Sequence, residues 1–279
     1  MTFYSKLRYR LWRIYRLFRK PCAIEINLVS HCNINCMGCT HYSPIAPKSY
    51  MSIEDFKRSI SHLKRIESAY GILRILGGEP LMHPEILEIL KLAGEILRNK
   101  KIEVYTNGIL LASDKQGDFV DSFAEICYKY GIHVYVTIYP IAVDYDMLFE
   151  KMTQRSVNIV LMGDRRNKES FRLMRLDSAR SGKRSNYYIC TETDCMQLVE
   201  DRIYPCAESA YCSYVNEKYG LNFCHRAGDY IKVAEIKHFY SLWWFRIKSK
   251  PFCEYCIFPR STIDWSHSRC APEEWVEMH

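Results

Sequence analysis

The chain has 279 residues, 48% of them hydrophobic, which suffices for one large domain with or without a small appendage. It has no apolar run of about eighteen residues, which excludes a transmembrane helix. The net charge of +7 sits in the first twenty residues, where Lys6, Arg8, Arg10, Arg13, Arg16, Arg19 and Lys20 meet no acid; the other 32 Lys and Arg balance 32 Asp and Glu, which argues against a nucleic-acid partner. Thirteen cysteines without a secretory signal point to a cytoplasmic, reducing setting and to metal binding, and the odd number speaks against a disulfide framework.

In residues 1–20, Leu7, Leu11, Ile14 and Phe18 recur at helical spacing among the basic residues, and Pro21 ends the segment. The pattern predicts a basic amphipathic helix. Its apolar stripe either packs on the main domain or rests on an anionic membrane surface or an acidic partner. Ala23–Val29 reads as a first strand. Ser30–Pro47 is a loop in which Cys32, Cys36 and Cys39 stand as C-x3-C-x2-C. Such short spacings let one loop wrap a compact metal centre, and three thiolates on a four-iron cluster would leave one iron open. A zinc knuckle that adds His31 or His41 is the alternative on ligand chemistry.

Ser52 with Asp55 marks a helix N-terminus, continued by Ile53, Phe56, Ile60 and Leu63. Ile72–Leu76 is a second strand that runs into Gly77-Gly78-Glu79-Pro80. Pro84 opens the next helix, with Ile86, Leu90, Ala93 and Leu97 on one face. Ile102–Tyr105 is the third strand, followed by Thr106-Asn107-Gly108. Phe119 to Tyr130 give a helical stripe capped by Gly131, on which Cys127 reads as a buried apolar residue. His133–Ile138 is the fourth strand, Asp144 begins a short helix, and Val157–Met162 is the fifth strand. Strands alternating with helices imply a parallel sheet with right-handed crossovers, too short for an eight-unit barrel. The cysteine loop, Gly77–Pro80, Thr106–Gly108 and Thr137–Pro140 all lie at C-terminal ends of strands, where such folds place their chemistry.

Residues 163–186 are strongly basic (Arg165, Arg166, Lys168, Arg172, Arg175, Arg180, Lys183, Arg184). They read as a solvated connection, or as a grip on an anionic substrate. Beyond residue 186 the strand–helix rhythm ends and cysteines become frequent. Cys195 and Cys206 flank a hairpin pattern that ends in Tyr204-Pro205-Cys206, and Cys253-Glu254-Tyr255-Cys256 is a C-x2-C pair. Two loops thus offer four thiolates, enough for a closed site that holds a cluster or a zinc ion; Cys190 is an alternative to Cys195. Trp243, Trp244, Phe245 and Trp265 flank the C-x2-C pair and are expected to bury a small domain with few regular elements, and to keep solvent from a cluster there.

The C-x3-C-x2-C loop after a first strand, with Gly77-Gly78-Glu79-Pro80 closing the next, resembles the radical S-adenosylmethionine (SAM) superfamily. The second cysteine region is similar to that family's auxiliary-cluster domains of the twitch or SPASM type. The resemblance implies a partial (β/α)6 parallel barrel over residues 22–186, behind the 1–21 arm, with a small cysteine-rich α+β domain over 187–279. It implies that Cys32, Cys36 and Cys39 hold a [4Fe–4S] cluster whose open iron chelates SAM. Gly77, Gly78, Glu79, Pro80, Asn107 and Thr137 would bind SAM, and Cys195, Cys206, Cys253 and Cys256 would hold a second, auxiliary [4Fe–4S] cluster. The implied activity is reductive cleavage of SAM and abstraction of a substrate hydrogen. An oxidation of a small, anionic carbohydrate-type substrate is favoured over modification of a ribosomal peptide, and a non-catalytic iron–sulfur or zinc protein is the rival class. The implied electron donor is a flavodoxin or ferredoxin. The sequence departs from the family's pattern at Gly38, where an aromatic residue is usual, so the ring beside the adenine must come from elsewhere, Tyr42 being the candidate. It departs again at Asp201, where the turn before Cys206 usually has glycine. No side chain stands out as a catalytic acid, base or radical donor.

Overall fold

The computed structural model describes Leu11 and residues 22–113, 117–163 and 170–278. The helix expected over residues 1–20 therefore lies outside the described residues, Leu11 apart, as do Arg165, Arg166 and Lys168.

Five strands run parallel and in sequence order: β1 (Ala23–Asn27), β2 (Ile72–Leu76), β3 (Lys101–Thr106), β4 (His133–Thr137) and β5 (Asn158–Met162). The connecting helices are α1 (Ile53–Arg65), α2 (Ile86–Ile96), α3 (Ile109–Ala112), α4 (Gly117–Tyr130) and α5 (Tyr145–Gln154). Local chemistry sets their starts. Ser52 Oγ accepts from Asp55 N at 3.1 Å, and Asp144 Oδ1 accepts from Asp146 N and Met147 N at 3.1 and 2.9 Å. Pro84 lies in a turn two residues ahead of α2 and not within its first turn.

Alternate strand residues serve opposite faces. Ile24, Ile26, Leu73, Ile75, Val104, Val134 and Val136 share one core with Phe56, Ile60, Leu63, Ile89, Leu90, Phe123 and Leu148 of the helices. Truncating one such Leu or Ile to Ala costs about 2–5 kcal/mol. The opposite face is polar. Arg74 bonds Glu25 and Glu103 at 3.0 Å each, and Lys101 and Tyr105 also reach Glu103, at 2.6 and 3.1 Å. Both carboxylates are buried, and the two cations compensate them.

The sixth parallel position is filled from the C-terminal region. β8 (Cys195–Val199) pairs in parallel with the start of β1, and β9 (Arg202–Tyr204) and β10 (Ile231–Lys232) extend the sheet antiparallel, giving the order β10-β9-β8-β1-β2-β3-β4-β5. The hairpin turn places Glu200, not Asp201, in the left-handed region (φ 54°).

The rest is short: β6 (Ser170–Leu173), β7 (Leu176–Asp177), α6 (Ala207–Ala210), α7 (Cys212–Tyr219), α8 (Phe239–Ile247), β11 (Ser261–Asp264) and β12 (Val276–Glu277). A second core gathers Tyr42 of the cysteine loop with Tyr211, Val215, Phe223, Phe252, Tyr255 and Trp275. Among the described residues no helix is long and apolar enough to cross a membrane.

Candidate active site

The cysteine loop leaves the C-terminal end of β1 and is held from two sides. On one side, Gly78 N donates to Val29 O at 2.6 Å and Glu79 N to His31 O at 3.1 Å. A Cβ on Gly77 would stand 2.6 Å from Val29 O, and one on Gly78 only 2.0 Å from His31 O. The two glycines are thus required first by the contact between the β2 turn and the chain entering the loop. On the other side the C-terminal chain lies across the loop. Met37 N donates to Ser266 O at 2.9 Å, Ser268 N to Asn35 O at 2.8 Å, and Trp275 Nε1 to Cys39 O at 2.9 Å. Trp265 Nε1 approaches Cys36 Sγ at 3.1 Å. Trp265 therefore covers the first cysteine motif, not the C-x2-C pair it was expected to flank.

A cavity of about 180 Å³ opens between this loop and the strand ends. Cys32, Gly77, Gly78, Glu79, Asn107 and Thr137 line it; Pro80 is buried behind it, at the start of a short 3₁₀ turn. Glu79 is 1% exposed and accepts from Thr106 Oγ1 (2.7 Å), Asn107 N (2.9 Å) and Leu81 N (3.1 Å). Burial outweighs these donors and pushes its pKa up to about 7. A carboxylate has about four acceptor positions, so three protein donors leave room for one from a ligand. Asn107 Nδ2 donates to Asn33 Oδ1 at 2.7 Å and lies 3.8 Å from Cys32 Sγ.

Sequence reasoning missed the cavity's aromatic residues. Tyr42 is fully buried in the second core, with its hydroxyl 3.3 Å from Glu208 O, and is remote from the role suggested for it. Tyr139 lines the cavity instead. Burial pushes its phenol well up, and the neighbouring Cys36, Cys39 and Cys32 push it further. Its position in Thr137–Pro140, at a strand end, was the available signal. His41 also lines the cavity; its ring packs 5.8 Å from Tyr211, and burial pushes its pKa down to about 4.

The second cysteine set divides unexpectedly. Cys190 raises the thiols of Cys206, Cys253 and Cys256, Cys253 also raises Cys206 and Cys256, and Cys256 raises Cys206. Burial is the largest cause raising all four thiols. Cys195 stands elsewhere, on β8 beside Glu25 and Glu192, with Arg74 Nη1 3.8 Å from its sulfur. Arg260 Nη2 approaches Cys190 Sγ at 3.5 Å, and Arg260 Nη1 lies 3.6 Å from Glu208. Among the described residues no three His, Cys, Asp or Glu side chains are drawn tightly enough together to hold a single metal ion. Arg180 and Arg184 do not line the cavity. Arg180 stacks on Tyr255 (4.5 Å), and Arg184 pairs with Glu254 at 2.6 Å, so both hold the C-x2-C segment.

Comparison with known proteins bears on this arrangement. The family model for the radical SAM superfamily matches residues 26–163. The chain is 26% identical over 113 residues to a GTP 3′,8-cyclase of Microcystis aeruginosa, covering 39% of this chain and 31% of that protein. It is 33% identical over 90 residues to the GTP 3′,8-cyclase of a Synechocystis species, covering 32% and 27%. The chain thus spans less than a third of the length of these curated relatives. In fold it is similar to BtrN crystallised with AdoMet and 2-DOIA: TM-score 0.53 at 16% identity, over 85% of this chain and 93% of that one.

Proposed function

Taking residues 26–163 as a radical SAM domain, we propose that the chain is an enzyme that cleaves S-adenosylmethionine reductively and abstracts a hydrogen from a small substrate. The observation that carries this is the convergence of the cysteine loop, the Gly77–Glu79 turn and Asn107 on one cavity at the C-terminal ends of parallel strands. The donor set fits a [4Fe–4S] cluster: Cys32, Cys36 and Cys39 come from one short loop with no fourth cysteine in it, which would leave one iron open to a ligand. When bound, the cluster and SAM supply the electron transfer and the hydrogen-abstracting chemistry. The protein's part is to bind, orient and exclude water. Cys32, Cys36 and Cys39 supply the thiolates. Glu79, with its remaining lone pair, accepts from the ammonium of SAM, and Asn107 and Thr137 give further polar contacts. Gly77 and Gly78 fix the turn against the loop. Tyr139 and Trp265, whose rings lie 6.0 Å apart, shield the cluster and take the place of the aromatic residue missing at position 38.

We assign the auxiliary cluster to Cys190, Cys206, Cys253 and Cys256, in place of Cys195. A four-thiolate set has no open position for a substrate, which favours an electron-accepting role and hence a net oxidation. A carbohydrate-type substrate and a flavodoxin or ferredoxin donor belong to the same proposal. The test is anaerobic reconstitution, reduction with dithionite and chromatography of the products of SAM. Methionine and 5′-deoxyadenosine should form, and should be lost on Cys36→Ala substitution. A protein loaded with iron that leaves SAM intact would refute the proposal.

A further inference from the structure

A second cavity, apart from the one at the cysteine loop, has a volume of about 510 Å³ and lies where β1 and β8 part. These strands pair only from Ala23 to Glu25 and from Cys195 to Gln197. Beyond that, β8 turns at Glu200 into β9 while β1 runs on beside β2 to Asn27. The chain passes from β1 through α1 to β2 on one side, and β8 arrives on the other. The strand order reverses at this point, and in open α/β sheets the crevice outside the carboxyl ends of the strands at such a switch is where ligands bind. The volume falls within the range of small-molecule sites.

The lining selects a type of ligand. Asn27 Oδ1 and His62 Nδ1 are buried there with no hydrogen-bond partner, and a buried polar atom is costly unless something satisfies it. Arg58, the cation of the lining, is spent on Asp55. At the rim, Asp201 has Arg202 beside it at 3.7 Å, and Glu200 has no cation paired with it among the described residues. Among those residues the rim therefore carries one uncompensated carboxylate. Tyr211 and Tyr214 add parallel rings, 6.0 Å apart and 7° from coplanar, whose faces attract cations.

From these features we infer that the crevice binds a small, hydroxylated organic cation of the amino-sugar class. Its ammonium meets Glu200, Asp201 and the tyrosine faces, and its hydroxyls donate to Asn27. The site is separate from the cavity at the cysteine loop but shares a wall with it, since Gly77 lines that cavity and a Cβ there would stand 2.5 Å from Asn27 Oδ1. The inference needs neither cluster nor SAM.

The test is calorimetry on the purified full chain with three hexoses of different charge: glucosamine, N-acetylglucosamine and glucose 6-phosphate. Glucosamine should bind, N-acetylglucosamine about tenfold or more weaker, and the phosphate not at all. Glu200→Gln with Asp201→Asn, both in a surface turn, should weaken glucosamine about tenfold while leaving the melting temperature and SAM cleavage unchanged. Asn27→Leu should weaken glucosamine and N-acetylglucosamine alike. No binding of glucosamine, equal binding of its acetylated form, or full affinity in the double variant would each overturn the inference.

Discussion

The two cysteine sets are built in opposite ways. Cys32, Cys36 and Cys39 lie within eight residues of each other, on a loop pinned by backbone contacts to the β2 turn and to residues 266–268, with a cavity beside them. Cys190, Cys206, Cys253 and Cys256 come from three separate segments, and a tightly packed aromatic core surrounds their region. The first set is local in sequence and open to a ligand. The second is distant in sequence and closed. An open set suits chemistry on a bound molecule, whereas a closed one suits structure or electron storage. The C-terminal chain joins them, since Trp265 and Trp275 roof the first set and Trp275 also shares the second core with Cys256.

This contrast can be broken at defined points. The largest effect is expected from Gly78→Ala. The new Cβ meets backbone at 2.0 Å, which no rotamer change relieves, so thermal unfolding should show a loss of about 3 kcal/mol together with loss of SAM binding. Iron belonging to the second set should survive wherever the chain still folds. Next is Cys190→Ser against Cys195→Ser. Iron analysis should find about four irons fewer per chain in the first variant and no change in the second; the reverse pattern would return Cys195 to the site. A smaller effect is expected for Trp265→Phe, which removes the indole N–H from Cys36 Sγ while keeping an aromatic roof. The absorbance of the first cluster should bleach severalfold faster in air, with the second unaffected. The smallest is Gly117→Ala, where nothing lies within 4 Å of the added methyl. Unfolding should show a stabilisation of about 0.5 kcal/mol, a control against which Gly78→Ala is read.

What was legible in the sequence follows the same division. β2 ends where the apolar run meets Gly77-Gly78, and Ser52 and Asp144 cap the helices they were expected to begin, because strand and cap signals are local. The C-x3-C-x2-C loop and its companion turn were legible for the same reason. Cys190 and Cys195 could not be ranked by spacing. A 3₁₀ turn at Glu192–Asp194 separates them, and pairing of β8 with β1 carries Cys195 toward Arg74 while Cys190 remains with the C-x2-C pair. Trp265 sits 229 positions from Cys36, a contact no local pattern reports. The Glu25–Arg74–Glu103 network was visible only as charges at alternate strand positions, whose partners depend on register. The crevice between β1 and β8 depends on a pairing between elements about 170 residues apart, so no local pattern announces it.

Two independent clusters in one chain, one open and one closed, should show in iron and labile sulfide per chain after anaerobic reconstitution of wild type and of the Cys32/Cys36/Cys39→Ala variant. About eight irons are expected in wild type and about four in the variant. Zinc without iron, or four irons that disappear entirely in the variant, would rule out the pair.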